Sequence, residues 1–158
     1  VTGVLNPRGD LNIEAMEGMC RAARGTKVTL HRAFDVCRDP HKTMEQAISL
    51  GLSTILTSGQ KSSAWEGRKL LKELKEESKG RIEILAGAGI GPGILRKLAE
   101  ETGISSYHMS GKMVKDSRME FRRDGVPMGL PGFSEYEIWQ TSAERIREAE
   151  EELKGLFL

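Results

Sequence analysis

The sequence predicts an α/β fold with parallel strands, in the form of an incomplete TIM-type (β/α) barrel. Two observations lead to this class. Four short apolar runs are each followed by a polar or glycine-rich turn and an amphipathic segment, at a spacing of roughly 25 residues. Alternation within the runs leaves one strand face apolar and the other polar, and a polar inner face suits a barrel better than an open two-sided sheet.

The apolar runs themselves are the predicted strands. In parallel sheets the side of each strand that faces the helices must be apolar. The runs cover residues 28–30, 54–56, 82–85 and 107–109, and the run at 1–5 is the remnant of an earlier strand. We therefore expect about the last five βα units of a barrel, as one partial barrel domain over residues 1–158.

Residues that cap helix ends mark the predicted helices. Asparagine, aspartate and serine accept hydrogen bonds from the first N–H groups of a helix, and proline fits the first helical position. The predicted starts are Asn12, Asp39 with Pro40, Ser63 with Glu66, and Gly91 with Pro92. A capping box of Thr141 with Glu144 opens a C-terminal helix over about residues 141–154. Residues 113–133 are predicted to be irregular, and residues 135–140 extended.

Composition excludes several classes of partner. Lys and Arg number 24 against 23 Asp and Glu, with the signs interspersed, so neither nucleic acid nor a membrane surface is the expected partner. No apolar run approaches the length of a membrane span, and no leader pattern opens the chain. Cys20 and Cys37 lie far apart without metal-ligand spacing, which indicates a reducing compartment. We therefore expect a soluble cytoplasmic protein with a small-molecule ligand.

The ends of the predicted strands carry residues that suit an anionic ligand. Barrel sites gather where strands run into the following loops, and here those loops read HRAFD, TSGQ, AGAGIG and SGK. Glycines allow close backbone approach, and the helix that starts at Pro92 offers free N–H groups. The predicted anion-binding residues are Gly87, Gly89, Gly91, Ser110 and Lys112. Ordinary turn chemistry explains the glycines equally well, because Pro92 breaks the GxGxxG pattern.

Three titratable residues on the predicted inner face form the candidate catalytic group, namely His31, Glu83 and His108. A carboxylate buried between strands must be paired or protonated, and histidine exchanges protons near neutral pH. Arg32 is expected to hold a substrate oxyanion, and Asp35 to orient a histidine. A hydrogen-bond network that only fills the lumen is the alternative. Ser58 and Thr57 are weaker candidates, because strand-end hydroxyls more often bond to backbone.

The sulfur-containing residues do not predict a metal site. Met16, Met19 and Cys20 form a soft cluster of the kind that Cu(I) prefers. They share a helical stripe with Ile13 and Ala23, however, so core packing is the favoured interpretation. The residues therefore leave the metal ligands unknown.

Four motifs resemble the CutC family of copper homeostasis proteins. They read VTLHRAFD followed by RDP, ILTSGQKSSAWEG, GRIEILAGAGI and YHMSGK, and the resemblance runs from GVLNPRGDLN through SEYEIW. The late SRMEFR and SEYE are similar to animal members. The resemblance implies a TIM-type barrel in the cytoplasm, with the nucleus as an alternative location. It also implies a homo-oligomer that handles copper and binds Cu(I), and no firm enzyme activity.

The resemblance further implies a set of site residues at the strand ends. The set is His31, Arg32, Asp35, Ser58, Gly59, Glu83, Gly87, Gly89, His108 and Ser110. Against a complete barrel of about 250 residues, the chain starts near the fourth strand, and about three strands are absent. The cysteines proposed to bind copper in animal members lie in that part, and neither Cys20 nor Cys37 replaces them. Where the family has Pro-Gly-Gly-Gly, residues 86–89 read AGAG.

Three functions stay open at this point. The resemblance favours a copper homeostasis protein. The residues themselves favour a barrel enzyme that acts on a small phosphorylated or carboxylated metabolite by acid–base chemistry. A non-catalytic piece that only oligomerises is the third.

We predict that the 158-residue chain pairs its open sheet edges in an oligomer, or is poorly packed when monomeric. The reason is that five strands of a barrel leave two unpaired edges and an uncovered polar inner face. Light scattering and calorimetry check this prediction. A monomer with a single sharp melting transition would contradict it.

Overall fold

A computed structural model describes residues 1–129, 132 and 134–156 of the chain. Five α-helices lie in the described residues: α1 Ile13–Ala22, α2 Pro40–Ser49, α3 Arg68–Ser78, α4 Leu95–Thr102 and α5 Ala143–Leu153. The strands are β1 Thr29–Leu30, β2 Thr54–Thr57, β3 Glu83–Ala86, β4 Ser106–Tyr107, β5 Lys112–Asp116 and β6 Glu137–Thr141. A short 3-10 helix over Arg32–Val36 follows β1. None of the described helices combines the length and apolar character needed to cross a membrane.

The first four strands form one parallel sheet in the order β1-β2-β3-β4. Its register pairs Leu30 with Ile55 and Ile55 with Ile84. The run at residues 1–5, predicted as the remnant of a strand, forms none: it makes only two isolated bridges, from Thr2 to Leu30 beside β1 and from Leu5 to Leu11. The predicted α/β class with parallel strands is confirmed, and each of the four predicted strands lies within one or two residues of the observed one.

The two faces of this sheet differ in burial as the alternation predicts. Leu30, Ile55 and Ile84 share one face and are buried against the helices. Each fully buried aliphatic side chain of this kind contributes roughly 2 kcal/mol to stability. Glu83 lies on the opposite face and is exposed. The core beneath the buried face contains Met16, Phe34, Met44, Leu71, Leu74, Leu98 and Ile104.

The helix starts follow the predicted caps at two places and shift at three. Asn12 and Asp39 cap α1 and α2, since their side-chain oxygens accept hydrogen bonds from backbone N–H groups at 3.1 and 2.9 Å. Helix α3 begins at Arg68 rather than just after Ser63, because the chain at Gly67 must first pass close against the loop after β2. Helix α4 begins at Leu95, after Gly93 with φ +90° interrupts helical geometry. Helix α5 is capped by Ser142, because Thr141 is still part of β6.

An antiparallel hairpin corrects the prediction that residues 113–133 are irregular. Strand β5 pairs with β6 from Lys112 opposite Thr141 to Asp116 opposite Glu137, and every residue of both strands is exposed. Strand β6 confirms the extended piece predicted at 135–140. Strand β5 could not be predicted from the sequence, because a strand with no buried face shows no apolar alternation. The end of the predicted irregular stretch, Phe133, lies outside the described residues.

We predict that Gly59→Ala destabilises the chain by about 3 kcal/mol. Gly59 has φ +70°, and a Cβ atom there would lie 2.3 Å from the backbone carbonyl oxygen of Gly67. Gly80→Ala is the matched control, because Gly80 has φ +75° but open space around it. It should cost only about 1 kcal/mol, the penalty of the left-handed conformation. Urea unfolding measures both, and equal losses would contradict the packing argument.

Candidate functional site

The carboxylate of Asp35 ties the 3-10 helix to the end of β2. It accepts hydrogen bonds from the hydroxyl of Thr57 at 2.5 Å and from the backbone N–H groups of Ser58 at 2.9 Å and Gln60 at 3.3 Å. It also accepts one from Nε of Arg32 at 2.6 Å. Two loops that follow neighbouring strands are thus joined through one side chain.

These donors decide the ionisation of Asp35. Burial by itself raises the pKa of this carboxyl, whose side chain is only 6% exposed. The hydrogen bonds from Thr57, Arg32, Ser58 and Gln60 outweigh burial and hold the pKa below its ordinary value of 3.8. Asp35 is therefore an ionised partner of Arg32 at neutral pH.

Arg32 is the cation that this network positions. Besides its contact with Asp35, Arg32 donates a hydrogen bond from Nη2 to the hydroxyl oxygen of Ser58 at 3.1 Å. The hydroxyl of Ser58 in turn donates to the carbonyl oxygen of Lys61 at 2.6 Å. The side chain of Arg32 is 47% exposed, so its remaining N–H groups are accessible to a ligand. Ser58 is fully buried and acts here as a support for the guanidinium.

His31 has a local structural task. Its Nδ1 atom accepts a hydrogen bond from the backbone N–H of Ala33 at 3.1 Å and so caps the 3-10 helix. Nδ1 must be unprotonated for this contact, which places the proton of the neutral ring on Nε2. No described hydrogen bond joins His31 to Asp35, whose oxygens are occupied by other donors. The orientation of a histidine by Asp35 therefore stays a prediction without a contact to support it.

Two adjoining cavities open beside the carboxyl ends of β1, β3 and β4. The Arg32 cavity has a volume of about 300 Å³, and Arg32, His108, Ser110 and Lys112 supply its polar side chains. The Arg145 cavity measures about 440 Å³ and lies between the β3–α4 loop and the start of α5. The residues that line it include Gly89, Gly91, Ser110, Lys112 and Arg145.

The cations of these cavities are held by neighbouring groups. The ammonium of Lys112 lies 4.0 Å from the centre of the Trp139 ring, a cation–π contact. Arg145 donates from Nη1 to the backbone carbonyl of Lys112 at 2.6 Å. Among the described residues, no carboxylate lies within ion-pair distance of Lys112 or Arg145. Their positive charges are therefore available to an anion.

Arg145 is a site residue that the sequence analysis missed. It reaches the cavity because the start of α5 is anchored to the loop after β4, where the Ser142 N–H donates to the carbonyl of Gly111 at 2.9 Å. Ile146 also packs against Gly111. Helix α5 carries many charges, and its sequence alone gives no signal for which of them faces a cavity.

The N-terminus of α4 corrects one part of the predicted anion site. Two backbone N–H groups at this terminus are bonded to Glu152 of α5, whose carboxylate accepts from Gly93, just before the helix, at 2.6 Å and from Arg96 at 2.9 Å. An intramolecular carboxylate thus fills the place that a free helix terminus would offer to a ligand. Side chains, rather than the terminus of α4, supply the positive charge of the cavities.

The structure brings only part of the predicted residues together. Arg32, Gly89, His108, Ser110 and Lys112 line one cavity, and Gly91 lines the adjoining one. Glu83 and His108 lie on the same face of the sheet, but the register places them roughly 13 Å apart along the strand direction. The hydroxyl of Ser106 donates to the Glu83 carboxylate.

The two remaining predicted glycines serve packing. A Cβ atom on Gly87 would lie 2.7 Å from the side chain of Leu56, and one on Gly59 would strike Gly67. Neither glycine lines the Arg32 cavity or the Arg145 cavity. The catalytic and binding roles of all the predicted residues stay predictions.

The predicted core packing of the sulfur cluster holds for two of its three residues. Met16 is fully buried in the core and Cys20 packs against the same core, whereas Met19 is 39% exposed and its sulfur accepts a hydrogen bond from the Thr2 hydroxyl. Burial raises the pKa of the Cys37 thiol, which disfavours the thiolate that binds metals. Across residues 1–129, 132 and 134–156, no group of three or more His, Cys, Asp or Glu side chains is arranged to hold a metal ion.

Comparison with known proteins identifies the family. The model of the CutC family matches residues 1–113. The chain belongs to the CutC family. A CutC family protein of Bacteroides fragilis is 42% identical over 154 residues, which cover 97% of this chain and 61% of that protein. A CutC family protein of Pasteurella multocida is 43% identical over 147 residues, which cover 93% of this chain and 60% of that protein.

A solved CutC structure has a similar fold. The crystal structure of the putative copper homeostasis protein CutC from Streptococcus agalactiae superposes with a TM-score of 0.64 at 32% sequence identity. The match covers 67% of this chain and 52% of that one. The chain thus spans about three fifths of the length of the CutC relatives it matches.

We predict that Asp35→Asn lowers the free energy of unfolding by about 2–4 kcal/mol at neutral pH, because an amide replaces one acceptor oxygen by a donor. The folded pKa of Asp35 lies below 3.8, so its carboxylate stabilises the fold above that pH, and this stability is lost as the pH falls through the folded pKa. Wild type and variant should therefore converge in acid. Urea unfolding from pH 7 to pH 3 measures this.

Asp124→Asn is the matched control for this experiment. Asp124 is an exposed carboxylate without a described ion pair, so its variant should follow the wild-type pH profile. A constant difference between Asp35→Asn and wild type at every pH would contradict the ionised state assigned to Asp35.

Proposed function

We propose that the protein containing this chain acts in copper homeostasis, as a cytoplasmic homo-oligomer of the CutC family. The observation that carries the proposal is the family match over residues 1–113. The solved Streptococcus agalactiae relative is described as a putative copper homeostasis protein, which supports the same function. The sequence resemblance to the CutC family supports the location, the homo-oligomer and the copper role.

We also propose that residues 1–158 form a single partial domain of a TIM-type barrel. Four parallel strands in sequential order and a sheet face with polar residues support this architecture. Copper, as Cu(I), is proposed as the cargo of the whole protein. We assign no copper ligand to the described residues, because no group of three or more of their His, Cys, Asp or Glu side chains could hold a metal ion.

A second candidate function is favoured by the Arg32 cavity. It is a barrel enzyme that acts on a small phosphorylated or carboxylated metabolite by acid–base chemistry. Arg32 and Lys112 would neutralise the anionic group, and His108 would exchange a proton with the substrate. Asp35 is a positioning residue in this proposal, since it holds Arg32 through Nε.

Calorimetric titration of the full chain tests both proposals. Cu(I) under reducing conditions and inorganic phosphate are titrated into wild type and into the double variant His31→Ala/His108→Ala. The variant should lose phosphate binding, and its Cu(I) titration should match that of the wild type. His41→Ala is the matched control and should change neither, because His41 pairs with Glu77 between α2 and α3.

Each failure of this experiment has a separate meaning. Loss of Cu(I) binding with the two histidines contradicts the division of roles. Absence of Cu(I) binding in wild type would restrict the copper proposal to parts of the whole protein outside this chain. Absence of phosphate binding in wild type contradicts the enzyme proposal.

A further inference from the structure

We infer that the ligand of this site carries two anionic groups, one in the Arg32 cavity and one in the Arg145 cavity, with Lys112 between them. The inference rests on the second proposed function and names its substrate class. That class is a small molecule with two phosphoryl groups, or with one phosphoryl and one carboxyl group, joined by a short carbon chain.

The two cavities adjoin each other, since they share four lining residues, which are Gly89, Ile90, Ser110 and Lys112. A ligand that contacts these shared residues can extend toward both cavities. Volumes of about 440 and 300 Å³ together lie in the range of sites for small metabolites.

The distribution of positive charge around the two cavities also favours a ligand with two anionic groups. Asp35 compensates the charge of Arg32, which keeps further N–H donors, so the Arg32 cavity offers directed hydrogen bonds. Lys112 and Arg145 have no carboxylate within ion-pair distance among the described residues. These two uncompensated positive charges would be only half neutralised by a single carboxylate.

Contacts within the protein already restrict the conformations of the cationic side chains. Arg32 is tied to Asp35, Lys112 stacks on Trp139, and Arg145 donates to the Lys112 carbonyl. Side chains that are held before binding lose less conformational entropy when a ligand arrives.

The carboxylate of α5 that lies at the start of α4 is accounted for by its own contacts. The carboxylate of Glu152 accepts from the N–H groups of Gly93 and Arg96 at the start of α4. Glu152 lines neither cavity. The larger cavity is also lined by the apolar residues Ile90, Pro92, Ile94 and Met109, which suit a carbon linker.

Two matched probes test the inference with the full chain. Propylene diphosphonate carries a phosphonate at each end of a three-carbon chain, and propylphosphonate carries the same chain with one phosphonate. Calorimetry should give an affinity about tenfold higher for the diphosphonate, the gain expected from one further charge-assisted contact. Arg145→Gln should bring the ratio of the two affinities close to one, because only one anion position then remains.

Two further variants test whether the loss of any positive charge on α5, or a damaged fold, would give the same result. Arg147→Gln removes the same charge from α5 two residues away, at an exposed position that lines neither cavity, and should keep the full gain. Arg145→Lys keeps the charge but not the fork of donors, and should retain part of the gain if the fold is intact.

The outcomes separate this inference from the function on which it rests. Equal affinities for the two probes in wild type, or an unchanged gain in Arg145→Gln, overturn the two-anion ligand but leave a single anion site. If neither probe binds, both the inference and the proposed enzyme function are overturned.

Discussion

The carboxylate of Asp35 is the contact on which the candidate site depends. It joins the turn after β1 to the loop after β2 by accepting hydrogen bonds from Thr57, Ser58 and Arg32. Burial of a charge is costly unless such donors compensate it, and here they hold the pKa of Asp35 below its ordinary value. The loop after β2 can present these donors only because Gly59 packs directly against Gly67. The same contact therefore serves the fold and the orientation of Arg32.

The C-terminal helix contributes two side chains of opposite charge to the region of the site. Helix α5 places the guanidinium of Arg145 at one cavity, and it places the carboxylate of Glu152 at the N-terminus of α4. The second contact satisfies orphan N–H groups inside the molecule. Anion recognition then depends on the side chains of Arg32, Lys112 and Arg145.

Family membership and the geometry of the site point to different chemistry. The CutC model matches residues 1–113 and carries the proposal of copper homeostasis. The groups that converge at the strand ends are cations, an imidazole and a hydroxyl, which suit an oxyanion better than Cu(I). Arg145 lies beyond the residues that the family model matches. The two proposed functions therefore rest on separate observations.

The sequence by itself determined the parallel α/β class, the positions of β1 to β4, and the caps at Asn12 and Asp39. These features follow from local alternation and from side chains that bond to backbone a few residues away. It also grouped Arg32, His108, Ser110 and Lys112, because the carboxyl ends of parallel strands share one edge. Only the tertiary structure decided that Asp35 holds Arg32 and that Glu152 occupies the terminus of α4. It also decided that Glu83 lies far from His108 and that Arg145 enters the site. These contacts join residues distant in sequence, so their partners depend on register and packing, which no local pattern encodes.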